Sequence, residues 1–190
     1  MKKIVIYPAE VLRQTTPRIE KVDGSLKGDV SELKKVLSAS ANGAGLAATQ
    51  IGLDRRFFGL KDVKTKEVEV FINPEIEVVF GEKVYPKIKV EGGKDEDFLE
   101  GCLSFPDYYG TVKRFLKITA SWEELIGEKL VKRKKDMSGF EAIVFQHELD
   151  HLNGVLFVDR ILEEGGKFYK EVNKEMVVWE VRKVVEGEIG

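Results

Sequence analysis

The chain has 190 residues, enough for one domain that buries its own core, and 31 Lys and Arg stand against 33 Asp and Glu. Near-balanced charge gives no global field for a polyanion, so direct nucleic-acid specificity is not expected, and no apolar run is long enough to span a bilayer. One cysteine excludes an intrachain disulfide and points to a reducing, cytoplasmic setting in which such a thiol is catalytic or metal-binding.

The chain opens Met1-Lys2-Lys3-Ile4-Val5-Ile6-Tyr7-Pro8, which lacks the apolar stretch and cleavage site of a secretion signal. Val30, Leu33, Val36, Leu37 and Ala41 recur at helical spacing, and Asn42-Gly43 supplies a stop, which predicts an N-terminal helix. From about Arg55 to Val131 the pattern changes to short β-rich runs: Arg56 to Leu60, Val68 to Ile72, Ile76 to Phe80, Val84 to Val90, Phe115 to Trp122 and Lys129 to Val131. Their spacing predicts antiparallel sheets. The basic run Lys132-Arg133-Lys134-Lys135 is read as a solvated strand end before a turn.

Helical spacing resumes at Ser138, where Ser138-Gly139-Phe140-Glu141 has the form of a capping box, and Asn153-Gly154 offers a left-handed stop. A last helix is predicted over about 167–185, with Phe168, Val172, Met176, Trp179 and Val184 facing the body of the protein. No repeat or linker interrupts the chain, so residues 1–190 are expected to form one α+β domain.

The chemistry is concentrated in two short segments, Glu100-Gly101-Cys102-Leu103-Ser104 and Gln146-His147-Glu148-Leu149-Asp150-His151, which hold the only cysteine and both histidines. On a helix His147 and His151 lie one turn apart on one face and can reach the same cation. Cys102 is the remaining soft donor, suited as a thiolate to zinc, iron or cobalt, and three protein ligands leave a fourth position for water, as in a catalytic site. Glu148, displaced by about a hundred degrees around the helix, sits beside the metal without ligating it, placed to take a proton from water.

Gly43-Ala44-Gly45-Leu46-Ala47-Ala48-Thr49-Gln50 has the glycine offsets of a dinucleotide fingerprint, but here a helix precedes and a strand follows, the reverse of what that fingerprint needs. The glycines would let a ligand approach the backbone and Gln50 could aim an amide at a carbonyl oxygen; a helix stop followed by a buried small-residue strand fits equally.

Taken together, Gly43 to Gln50, Glu100 to Ser104 and Gln146 to Leu152 resemble, in order, the three signature motifs of the peptide deformylases. Tyr7-Pro8, Leu12-Arg13, Ile72-Asn73-Pro74, Val112 and Arg114 extend the likeness to about Ile161. The resemblance implies antiparallel or mixed β-sheets around a central metal-binding helix, and hydrolysis of the formyl group from the N-terminal methionine of new polypeptides. It implies Fe²⁺ as the ion, replaceable by Zn²⁺, Ni²⁺ or Co²⁺, formyl-methionyl nascent chains as partners and a transient ribosome contact. It also gives roles: Glu148 for the proton, Gln50 and the backbone N–H of Leu103 for the oxyanion, Gly45 for the substrate backbone. Phe140, Ile143 and Val144 become candidate walls of a methionine pocket, and Glu100 with Arg114 an ion pair that orients the cysteine loop.

Two departures stand out. Ala44 replaces the usual Val or Ile, which predicts a wider cleft, and the segment 81–98 looks longer than usual, as an exposed loop, a lid or a dimer contact. The rival readings are a His-Glu-x-x-His metallopeptidase, which would need Glu164 or Glu171 as third ligand and leave Cys102 unexplained, and a metal-binding protein of the same fold without turnover.

Overall fold

A computed structural model describes residues 1–187. Helix α1 (Leu26–Ala39) starts one turn earlier than the periodicity predicts. Asp23 explains the early start: its Oδ1 accepts hydrogen bonds from the backbone N–H groups of Ser25 (3.1 Å) and Leu26 (2.9 Å), satisfying donors that the first turn leaves free.

Strands β1 (Gly45–Ala47), β2 (Phe57–Lys61), β3 (Val68–Phe80), β8 (Lys117–Ile126) and β9 (Lys129–Ser138) form a five-stranded sheet in the order β1-β2-β3-β8-β9. Strand alternation divides its side chains. Phe57 and Ile72 meet Leu33 and Leu37 of α1 on one face, while Phe58 and Phe71 meet Phe145 of α2 (Phe140–Leu152) on the other. Gly59 lets α1 approach closely, since a Cβ there would lie 2.7 Å from Leu33 Cδ2. Two predicted runs, 68–72 and 76–80, merge into β3, which bends at Asn73 (φ 49°) where the pairing with β8 shifts register.

A second sheet has the order β11-β10-β7-β6, from β6 (Glu100–Cys102), β7 (Phe105–Gly110), β10 (Phe168–Val172) and β11 (Glu175–Val178). Helices α3 (Phe157–Glu164) and α4 (Val181–Val185) pack with it around Phe105, Tyr108, Phe157 and Phe168. Every strand pair among the described residues is antiparallel, and α2 lies between the two sheets' cores with nine buried residues, so the α+β architecture around a central helix is as expected.

Four local expectations change. The C-terminal helix is confined to Val181–Val185, because 168–178 is a hairpin: Asn173 (φ 52°) and Lys174 (φ 68°) form a two-residue turn that matches strand twist. Val172 and Met176 are consequently exposed, whereas Phe168 and Val184 are buried. The capping box does not form, since Ser138 is the last paired residue of β9 and Gly139, at φ 58°, makes the turn into α2. The basic run lies inside β9 rather than at its end, with Arg133, Lys134 and Lys135 paired to Glu124, Glu77 and Glu141. The stop at Asn153-Gly154 is as predicted: Gly154 has φ 70°, and a Cβ there would collide with the Arg13 carbonyl.

Segment 81–98 is a short hairpin, β4 (Lys87–Ile88) on β5 (Glu96–Asp97), anchored by the Val84–Arg114 bridge and by Tyr85, whose hydroxyl donates to the Glu164 carbonyl at 3.0 Å. No described helix is long and apolar enough to cross a membrane.

Candidate metal centre

Two elements bring the three donors together. His147 and His151 project from one face of α2 with ring centroids 5.1 Å apart, and the second sheet carries Cys102 to them at the end of β6. The Cys102 sulfur lies 3.2 Å from His151 Nε2, and ligand atoms of all three lie within 4.8 Å of one another. His147 gives Nδ1 to Glu100 Oε2 at 2.9 Å, which turns Nε2 toward Cys102 and the candidate ion position. Among the described residues this is the only such cluster, and Glu164, the rival third ligand, instead receives the Lys113 N–H (2.9 Å) and pairs with Lys83.

Electrostatics favour a cation here. Burial opposes charge on His147, yet its hydrogen bonds to Cys102 and Glu100 outweigh that and raise its pKa well above the ordinary value. Burial and the His147 charge push His151 well down, toward the neutral imidazole that a metal requires. A thiol sulfur, two Nε2 atoms and one surrounding carboxylate thus fit a first-row divalent ion.

Glu148 is buried, and its Oε2 has no hydrogen-bond partner among the described residues. Burial drives its carboxyl up to about 7, with His147 and Arg114 opposing and Glu100 reinforcing. A carboxyl poised there can both accept and return a proton near neutrality.

Gln50 sits in a 3₁₀ turn (Ala48–Ile51) that follows β1 directly. Its Oε1 accepts the Ala47 N–H at 2.8 Å, which turns Nε2 toward Ser104 Oγ (3.1 Å) and the Cys102 sulfur (3.4 Å). The amide therefore faces the metal site but already holds two partners. Leu103 lies in the β6–β7 turn next to Cys102.

A cavity of about 430 Å³ opens beside these groups. Its lining includes Gly45, Ala44, Gln50 and Leu103, along with Phe140, Ile143, Val144, His147 and Glu148, so every wall residue expected from sequence is present. Ala44 also borders a second hollow of about 920 Å³ over the β2–β3 turn, which Phe140 and Val144 share. A small residue at 44 thus stands where the two spaces meet. Phe98 was not foreseen: the last residue of the 81–98 segment, it contacts Phe140 edge to face at 6.0 Å in the cavity wall.

Glu100 and Arg114 form the expected ion pair, both buried, through Nε–Oε1 (2.7 Å) and Nη2–Oε2 (2.9 Å). Burial would raise the Glu100 carboxyl, but the Arg114 charge and hydrogen bonds, with His147, hold it at about 2. Asp150, absent from the sequence-derived set, also binds Arg114, at 2.6 Å. Only the Asp between the two histidines could have signalled it, and nothing in its spacing names a partner.

The polypeptide deformylase family model matches residues 1–166. A peptide deformylase of Aquifex aeolicus is 37% identical over 161 residues, spanning 85% of this chain and 88% of that protein. One from Agrobacterium fabrum is 34% identical over 192 residues, spanning 100% and 99%. Among solved structures, the peptide deformylase of Thermotoga maritima superposes with a TM-score of 0.70 at 34% identity, covering 84% of this chain and 97% of that one.

Proposed function

Because the chain belongs to the peptide deformylase family, and so removes the N-formyl group from new polypeptides with release of formate, we propose how its residues divide that reaction. Cys102, His147 and His151 hold the ion, which we take to be Fe²⁺, with Zn²⁺, Ni²⁺ or Co²⁺ as substitutes; thiolate and imidazole donors suit all four. When bound, the ion supplies Lewis acidity, making water more acidic and polarising a carbonyl oxygen.

The substrate backbone adds to the free edge of β1, which pairs with β2 on one side only and lines the cavity on the other. Gly45 admits it there. The methionine side chain enters between Phe140, Ile143 and Val144. Glu148 takes a proton from the attacking water on its unpartnered Oε2, then returns it to the departing amine nitrogen. Gln50 Nε2 and the Leu103 N–H donate to the oxyanion as it forms, Gln50 exchanging one of its present bonds for that one.

The observation that carries this division is the buried Glu148 carboxylate beside three converging donors. Formate release from formyl-Met-Ala-Ser by ferrous-loaded protein, kept anaerobic, tests it, with Glu148→Gln expected to lower kcat at least 100-fold. Absence of turnover in the unsubstituted protein would favour a metal-binding role without catalysis. We further propose that residues 1–190 act as one domain, that the setting is cytoplasmic, in keeping with a lone free thiol, and that contact with the ribosome is transient, in keeping with a nascent-chain substrate.

A further inference from the structure

Asp150 faces away from the cavity, yet both of its oxygens are held by guanidinium groups. Arg114 Nη1 lies 2.6 Å from Oδ2, while Arg160 on α3 spans both oxygens, Nη2 to Oδ1 at 2.7 Å and Nε to Oδ2 at 3.2 Å. Arg114 turns its other two nitrogens, Nε and Nη2, to Glu100, whose Oε2 holds His147 Nδ1. Charges therefore alternate along one row, Arg160, Asp150, Arg114, Glu100, ending on a metal ligand. Side-chain exposure falls along it from 26% at Arg160 to 12% at Asp150 and 4% at both Arg114 and Glu100.

We propose that Arg160 is a positioning residue for the metal centre, acting through Asp150 and Arg114 on the Glu100–His147 hydrogen bond. Arg114 is shared between two carboxylates. With Arg160 in place, Asp150 has its own bidentate partner, and Arg114 stays in its two-pronged grip on Glu100. Removing Arg160 leaves a mostly buried carboxylate with a single cation, which competes with Glu100 for Arg114. Glu100 then draws more strongly on His147 Nδ1, altering the basicity and orientation of the ligand. An ordinary tie between α2 and α3 would instead affect stability alone.

The inference rests on Cys102, His147 and His151 being the ligands, and Co²⁺ alone serves as the probe. Its affinity is read by chelator competition and its environment by visible absorption. Arg160→Gln is expected to weaken Co²⁺ binding about tenfold and shift the absorption bands. Arg160→Lys, which restores charge without the planar fork, should fall between that variant and the parent protein. Glu163→Gln, at an exposed partner 3.3 Å from Arg160 Nη1, should match the parent. Parent-like affinity and spectrum in both Arg160 variants, whatever their Tm, overturns the proposal; should the Gln variant not fold, parent-like values in the Lys variant do so. Failure of the ligand assignment looks different: Cys102→Ala would then bind Co²⁺ as tightly as the parent.

Discussion

Gly45 abuts the Glu148 side chain so closely that a Cβ at position 45 would lie 2.7 Å from the Glu148 Cδ. Under the proposed division of roles, the residue that would leave room for substrate backbone also leaves room for the proton carrier. Gly45→Ala must displace the carboxylate, and misplacement by about 1 Å costs on the order of 100-fold in rate. We expect kcat to fall by that factor with the far-UV spectrum and Co²⁺ content unchanged; undiminished kcat would show that Glu148 can work from elsewhere.

The ion should also stabilise the fold, because its proposed ligands come from α2 and β6, on two different structural layers. Binding at 100 times Kd adds about 2.7 kcal/mol to the folded state. Stripping the parent protein with a chelator should therefore lower Tm, and adding Co²⁺ should restore it, whereas Cys102→Ala should give one Tm under both conditions. A metal-dependent Tm in that variant would remove Cys102 from the ligand set.

Asp23 gives a pH dependence of definite sign. The hydrogen bond from Arg55 (2.7 Å), then that from Ser25, hold its carboxyl well below the ordinary aspartate value. A carboxyl lowered on folding stabilises the protein above its unfolded pKa, about 3.9, and that contribution disappears as pH falls through the lower folded value. Melting curves of Asp23→Ala and the parent should differ at pH 7 and converge at progressively more acid pH below about 4. A Tm gap independent of pH would mean the charge contributes nothing.

Lys174 occupies the left-handed region at φ 68° in the second position of the β10–β11 turn, where glycine carries no steric cost. Lys174→Gly should raise stability by up to about 1 kcal/mol, read from urea midpoints. An unchanged or lower midpoint would show that the side chain is doing something else there.

Phe98 and Phe140 close one side of the cavity, so Phe98→Ala should raise KM for formyl-Met-Ala-Ser several-fold while leaving kcat within about twofold, the pattern of lost uniform binding. A matching fall in kcat would place the 81–98 hairpin in the chemistry itself.

The metal centre was legible in the sequence because its donors are chemically scarce: one cysteine and two histidines, the latter at a spacing that only a helix turns into a half-site. Ala44, Gly45 and Gln50 could be assigned only by resemblance, since small residues after a helix fit a bland strand equally well. The partners of Asp150, and the places of Arg160 and Phe98, were not legible. Charged residues occur throughout the chain, and which of them meet is settled by the crossing of α2, α3 and β6 rather than by any local pattern. The hairpin at 168–178 was misread for a related reason: its apolar residues satisfy a helical period on paper, and a turn of Asn and Lys lacks the glycine that would have flagged it.

The sheet carrying Cys102 is extended by strands that lie far along the chain, with Phe168 opposite Gly110 and Tyr109 opposite Gly101. About seventy residues separate the cysteine strand from the end of β10, the strand on the other side of β7, since 102 and 172 bound the interval. The backbone pairing that backs the thiol's strand can therefore form only after a long stretch of chain, α2 and both histidines included, has been made, so the support of the site is non-local and slow to assemble.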